Sequence, residues 1–410
     1  MNFSLPQRWQ SSRVSPLVFI FLTILINRIG MSILFPILPF LVERFHSDAF
    51  TLGLLTSCFA IAQFLATPAI GALSDRYGRR PVMLICVLGS AIAYFMFGWA
   101  AALWVLFLSR IIDGMTGGVA ATAQAYIADT SKPGERSKNF GLTGVAFGLG
   151  FVLGPALGGA LSGIDITFPV FFAGSLALCN AILGYFTLPE SLSIEKRRSI
   201  HLTDLNPMNQ VSDLFRNRRI RGFLWATFIF NFAFTGFTSI FVLFLHERLG
   251  WGPTAAATIF VFIGVVSTIV QGGLIRKLLP IYGEAKLTVI GFVTLAVGLA
   301  LVSWLPNHSS WLYPLLYTSQ ALLALGVGLL LPCLRGLISN RVSDREQGRT
   351  IANAQGIQSI AAILGPLWAG WTFDHLSLSA PFWLGSLLVL LGLIFVLINL
   401  RQPQSQMTLL

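Results

Sequence analysis

Charge is what this 410-residue chain has least of. Charged residues make up 10% of it, against ~25% in a soluble domain. That is too few to cover the surfaces of two or three soluble domains, and it excludes an ordinary soluble enzyme. A hydrophobic fraction of 55% and a mean hydropathy of +0.76 exclude a disordered chain. Cysteine is scarce as well: Cys58, Cys86, Cys179 and Cys333 all lie in apolar stretches, none at metal-ligand spacing. They are expected to be packing residues, not a disulfide framework or a metal site. There is no nucleophile motif, metal cluster or phosphate-cradling loop, so neither enzyme chemistry nor a cofactor or metal is expected. Acid is the scarcer sign, with 16 Asp+Glu against 27 Lys+Arg and a net charge of +11. In a soluble chain that balance would suggest nucleic acid; the placement of the charges points elsewhere.

What the chain has is long apolar runs. A membrane span needs about 20 apolar residues. Twelve spans are expected near 16–42, 50–73, 81–100, 103–128, 139–162, 167–188, 221–246, 254–275, 285–304, 311–338, 349–372 and 380–400. The polar stretch Met1–Ser15 leads into a first span without a small-residue cleavage site, so that span is expected to stay. One polar segment, 189–220, divides a first six-span unit (1–188) from a second (221–401). A short tail, 402–410, follows. With both termini in the cytoplasm, 22 of the 27 basic residues fall in inner segments. The outer loops then hold only Arg44 and Arg248, while Arg28, Arg110 and Arg335 stay inside spans. This asymmetry predicts an N-in, C-in multi-pass protein of the cell's inner membrane. It also accounts for the positive charge through anionic lipid at the inner leaflet, with no nucleic-acid partner.

The halves echo each other. Leu41-Val42-Glu43-Arg44-Phe45 closes span 1 and Leu245-His246-Glu247-Arg248-Leu249 closes span 7; Asn27 matches Asn231 at the same offset. Gly154-Pro155 in span 5 matches Gly365-Pro366 in span 11. A parallel six-span repeat suits two bundles rocking about a midplane site.

Four local patterns carry the functional reading. After span 2 stands Gly71-Ala72-Leu73-Ser74-Asp75-Arg76-Tyr77-Gly78-Arg79-Arg80, an acid among arginines at a helix end followed by a turn glycine. Span 4 holds Arg110-Ile111-Ile112-Asp113 followed by glycines, which places an arginine and the one well-buried acid a helical turn apart. An intramembrane arginine is costly unless partnered, so the pair is either a self-neutralising structural unit or a proton site. Span 5 carries Gly150, Gly154, Pro155, Gly158 and Gly159, small residues at a spacing that lets helices approach closely. Three span arginines against Asp113 also disfavour cationic ligands and favour a neutral amphipath or an organic anion.

These motifs resemble the major facilitator superfamily. Within it, residues 20–190 resemble the twelve-span drug/proton antiporters of the tetracycline-resistance type. The resemblance implies an all-α membrane fold, with twelve helices in two pseudo-symmetric six-helix bundles. It implies that Gly71, Asp75, Gly78, Arg79, Arg80 and Asp129 gate alternating access, with Asp75 docking on the second bundle in the outward-open state. Arg110 and Asp113 would then couple the proton, and an Arg28–Asp113 contact is expected. Asn27, Arg28, Gln63, Asn231 and Arg335 would meet the substrate, and the span 5 glycines would mark an exporter. Two departures stand out: Asn27 replaces the group's span 1 acid, and Thr294-Leu295-Ala296 replaces its span 9 acid. Tetracycline–metal export is therefore not expected. The function expected is proton-coupled export of a small amphipathic or drug-like compound, by a monomer surrounded by lipid. The alternatives are an organic-anion or lipid facilitator without a proton step and a non-transporting membrane sensor.

Overall fold

A computed structural model describes residues 16–132, 135–199, 220–306, 309–342 and 344–401. Most of the expected central segment, with its basic run at 216–219, and the expected tail 402–410 lie outside the described residues. Among those described, every long regular element is a helix.

The first half contains α1 (Pro16–Ile33), α2 (Leu38–Glu43), α3 (Ala49–Tyr77), α4 (Arg79–Gly98), α5 (Leu103–Met115), α6 (Val119–Thr130), α7 (Arg136–Ser162) and α8 (Phe168–Thr187). The second contains α9 (Arg221–Leu249), α10 (Pro253–Ile269), α11 (Ile275–Ser303), α12 (Leu312–Ser339), α13 (Asp344–His375) and α14 (Ala380–Leu400). Ten described stretches are long and apolar enough to cross a membrane. One of them, Pro253–Ser303, runs 51 residues and leaves helical geometry at Gly283, so it makes two crossings. With α13 the total is twelve, six in each half, and the even count places both ends of the bundle on one face. That face is called terminal below and the opposite one distal.

Two expected spans are broken helices. Span 1 divides into α1 and α2 at 34–37, where Pro36 lacks the N–H that would continue the ladder. Span 4 divides into α5 and α6 at the Gly117–Gly118 turn. Conversely, the expected gap between spans 8 and 9 is helical up to Gly283, and span 8 ends in a π-helical turn over Val270–Leu274 that contains Gly272 and Gly273.

The two cores differ in kind. The second half packs one large cluster, from Phe223 and Phe230 through Phe292 and Leu330 to Phe382 and Val396, beside a small one of Val270, Ile275, Leu287, Leu329 and Cys333. The first half packs two. Ile24, Ile70, Val87 and Val119 belong to a cluster on the terminal side. Ile33, Leu55, Tyr94 and Leu106 belong to one on the distal side. The residues that fall between them on the same four spans are Arg28, Gln63, Ser90, Arg110 and Asp113, so a polar layer cuts this core at mid-depth. Of the cysteines, Cys86 and Cys333 are buried as expected and Cys58 is half-buried, but Cys179, on α8, is exposed.

Candidate functional site

The polar layer is built around one ion pair. Arg110 Nη2 lies 3.3 Å from Asp113 Oδ2, and both side chains are nearly fully buried. They share a face because they stand three residues apart on α5. The guanidinium is boxed by rings: Phe97 at 4.8 Å, Phe59 at 5.7 Å and Tyr94 at 5.9 Å. Asp113 is the one buried acid among the described residues. Gly114, the next residue, packs on the Phe59 carbonyl, and the Gln63 amide donates to the Gly117 carbonyl at 3.5 Å. Spans 2 and 4 are thereby held at the pair's edge.

Arg28 does not join this pair. Its guanidinium sits 3.7 Å over the Phe147 ring on α7, with Nη1 3.8 Å from Met31 Sδ. The expected Arg28–Asp113 contact is absent because Arg28 leaves α1 toward Gly150 and Phe147, away from α5. Asn231 in α9 donates to Thr227 O, one turn back on its own helix, and Arg335 is exposed. The structure therefore brings Gln63 against Gly114 and Gly117, in the stretch that follows the Arg110–Asp113 pair. It does not bring Asn27, Arg28, Asn231 and Arg335 into one cluster.

A second constellation occupies the terminal face. Arg79 bridges Asp75, at 2.5 Å, and Asp129, at 3.0 Å from Nε, and donates to Ser74 Oγ at 3.2 Å. Asp75 is half-exposed, and Arg79 is its partner among the described residues. Glu190, just after α8, was not anticipated. Its carboxylate accepts the Arg79 and Arg80 N–H groups at 2.8 and 3.2 Å and those of Ser191 and Leu192 at 3.0 Å. It supplies the N-terminal cap that Gly78, the residue before α4, has no side chain to give. Gly78 is doubly constrained: its φ is +110°, and a Cβ there would strike the Glu190 carboxylate. Arg80 reaches across to the Tyr185 carbonyl at 2.6 Å.

The second half repeats the backbone device with its charges exchanged. Gly283 has φ +70°, and the residue after it is an acid, Glu284, whose partner across the helices is the Asn340 amide at 2.9 Å. Buried Phe223 lies 4.5 Å from the nearby Arg341 guanidinium. Desolvation holds that guanidinium below its ordinary pKa, opposed in part by Glu284.

The seam between the bundles is open at one end only. Spans 5 and 8 run antiparallel in a single register: Gly159 touches Ala257, and a Cβ on Gly264 would stand 2.6 Å from Val152. Further toward the terminal face, a Cβ on Gly148 would be 3.8 Å from Thr268, and Gly144 and its opposite number Gly272 meet nothing within 4 Å. Spans 2 and 11 behave alike at the distal end. Gly370 packs on Ala49 and Phe50, Gly53 packs on the Pro366 carbonyl, and Ser57 Oγ donates to Ile363 O at 2.6 Å. Thr254 Oγ1 donates to Gly159 O at 2.9 Å. Asp374, also unanticipated, accepts the Ala49 and Phe50 N–H groups at 3.2 and 2.7 Å, so an acid of the second bundle caps a helix of the first. The span 5 glycines divide between two partners. Gly150, Gly154 and Gly158 press on span 1, where Ser32 Oγ donates to Gly150 O at 2.8 Å, while Gly159 faces span 8.

Two helical bundles joined by such a wedge, with an ion pair buried at mid-depth, define a multi-pass secondary transporter. The chain belongs to the Major Facilitator Superfamily, whose family model matches residues 20–284 and 278–408. It is 31% identical over 355 residues to the class C tetracycline resistance protein of Escherichia coli, covering 86% of this chain and 88% of that one. It is 30% identical over 381 residues to multidrug resistance protein 2 of Bacillus subtilis, covering 92% and 93%. Among solved structures, the human organic anion transporter MFSD10 (TETRAN) aligns with a TM-score of 0.70 at 26% identity, over 93% of this chain and 98% of that one. The nucleoside transporter NupG aligns at 0.77 with 14% identity over 95% and 100%, a likeness of fold alone.

Proposed function

We propose that this protein exports small amphipathic molecules across the inner membrane in exchange for protons, by alternating access. The observation that carries the reading is the wedge: both inter-bundle seams are packed toward the distal face, and the seam of spans 5 and 8 parts toward the terminal face. With the termini in the cytoplasm, as the placement of the basic residues argues, this state takes substrate from inside. The relatives named for tetracycline resistance, multidrug resistance and organic-anion transport support a small-molecule cargo, and the Gly154–Pro155 packing of span 5 on span 1 suits export.

The bundles correspond to residues 1–188 and 221–401, joined by the cytoplasmic segment 189–220, and one chain suffices for transport. In the opposite state the terminal seam closes and Asp75, paired here with Arg79, docks on the second bundle. Arg79, held by Asp129, positions Asp75 for that step, while Gly71, Gly78 and Arg80 shape the loop. Asp113 carries the proton. Protonation cancels its charge and frees Arg110, which changes the packing of spans 2 and 4 around Gln63 and Gly114. Ion-pair loss at the hinge of a bistable element is a switch of known kind.

The test is a pH gradient across inverted membrane vesicles, with a panel of neutral, anionic and cationic fluorescent amphipaths. Wild-type vesicles accumulate part of the panel. Gly53→Leu vesicles, whose new side chain displaces the Pro366 carbonyl and props the distal seam open, do not. Equal accumulation by the two, or none by either, contradicts the reading.

A further inference from the structure

We infer that Arg28 is the docking point for an anionic group on the transported molecule, so that the cargo is an aromatic or apolar carboxylate, sulfonate or phosphate. The inference rests on the transporter reading above and names the substrate class for it.

Arg28 lies twelve residues into α1, about 18 Å along the helix at 1.5 Å per residue. That depth is past the middle of a hydrocarbon core of ~30 Å. The other interior arginine of this half is neutralised, because Arg110 has Asp113 at 3.3 Å. Arg28 has no carboxylate within 4 Å among the described residues. Its Nε is buried and without a hydrogen-bond partner. Nη1 has only a thioether, the weakest acceptor in the repertoire. A guanidinium brings five N–H donors in a planar fork that fits a carboxylate, sulfonate or phosphate with two parallel bonds. Leaving that fork unpaired at mid-membrane is costly, and the one buried acid among the described residues, Asp113, is already taken by Arg110.

The surroundings suit the rest of an amphipath. The Phe147 face beneath the guanidinium is half-buried. It holds the cation by its ring quadrupole while no anion is present. Phe147 belongs to the same helix as Gly144 and Gly148, which face the open half of the seam. At the position in the second bundle that repeats Arg28, the chain has Phe232, stacked on Phe228 at 5.7 Å and tilted against Trp368 at 5.1 Å. An anion on Arg28 and an aromatic body against this stack would bridge the two bundles, which is what a cargo must do to bias their rocking.

The experiment is calorimetric titration of the purified full chain in detergent with naphthoate, naphthalenesulfonate and uncharged methyl naphthoate. The anions are expected to bind at least tenfold tighter than the ester. Arg28→Gln removes that preference and leaves ester affinity within twofold, which also reports that the variant is folded. Arg28→Lys, which keeps the charge and loses the fork, falls between. If Arg28→Gln does not yield folded protein, the wild-type preference and its reduction in Arg28→Lys carry the test. Equal affinity for anion and ester, no binding of either anion, or a preference untouched in Arg28→Gln overturns the assignment. The two readings fail separately. Gradient-driven accumulation of a neutral or cationic dye by vesicles whose protein shows no anion preference sinks the anion site and leaves export standing. A strong preference with no gradient-driven movement does the reverse.

Discussion

The two bundles share a backbone plan and differ in what they bury. The second encloses one dominant apolar cluster beside a small one, rich in phenylalanine rings in contact, such as Phe237 and Phe241 with centroids 4.7 Å apart. The first is cut at mid-depth by Arg28, Gln63, Ser90, Arg110 and Asp113. Buried charge stabilises a fold poorly, since desolvation offsets most of the Coulombic gain. A half that keeps three interior charges where its twin, among the described residues, keeps none is therefore organised for work, and the twin serves as the more apolar body against which it moves. The terminal-face clasps teach the same lesson in milder form. Gly78 and Gly283 both take positive φ, while the charge that follows is Arg79 in one half and Glu284 in the other. Backbone geometry is common to the repeats; charge is specific to each.

The comparison can be broken most forcefully at Asp113. Asp113→Asn leaves Arg110 buried without a counter-charge, which costs about 3–5 kcal/mol, so the melting temperature of the purified protein falls steeply. Replacing both residues, Arg110→Leu with Asp113→Leu, is expected to recover that stability or exceed it, because an apolar pair of similar volume needs no desolvation. If the double variant is as unstable as the single one, the layer is a structural necessity and the contrast between the bundles means less than argued here.

Next in size are the caps. Glu190→Ala strips four backbone N–H groups of their acceptor and Asp374→Ala strips two. Each removes a cap worth ~1 kcal/mol, with different consequences. The first lowers the melting temperature with little change in access. The second weakens the distal seam, and thiol labelling of Phe50→Cys from the distal side rises severalfold. Identical phenotypes would erase the distinction between a cap within one bundle and a cap across two.

Smaller still is Gln320→Leu in the second bundle. Gln320 is fully buried, and its Oε1 has no partner. Removing an unsatisfied polar group is neutral or stabilising by ~1 kcal/mol, so the melting temperature holds or rises. The smallest expected effect is that of acid on Asp48, the exposed cap of α3. Hydrogen bonds from Thr51 hold its carboxyl below the usual carboxylate range. A depressed folded pKa means that its contribution is complete above the unfolded value and fades only as pH falls through the lowered one. Distal labelling should therefore be flat from neutral pH down to the ordinary carboxylate range.

Much of this was legible in the chain. The spans, the repeat and the Asp75–Arg79–Asp129 line depend on composition and on motifs a few residues long, and Arg110–Asp113 on one helical turn. What was not legible depends on long-range geometry. Glu190 and Asp374 act as caps on helices remote in sequence, and nothing local to a carboxylate says whose N–H groups it will meet. The breaks at Pro36 and Gly117–Gly118 were hidden because an apolar run does not report where its helix pauses. Arg28 was given the wrong neighbour because the face from which a residue leaves a helix depends on packing with Gly150, which spacing alone does not specify.

The central claim is that coupling resides in the polar layer of the first bundle. It is tested most directly by the initial rate of gradient-driven uptake in inverted vesicles, comparing the Arg110→Leu, Asp113→Leu double variant with Gln320→Leu at equal amounts of folded protein. The account predicts that the double variant loses accumulation against a gradient although it folds, while Gln320→Leu stays within about threefold of wild type. Accumulation that survives in the double variant, or is lost equally in both, would contradict it.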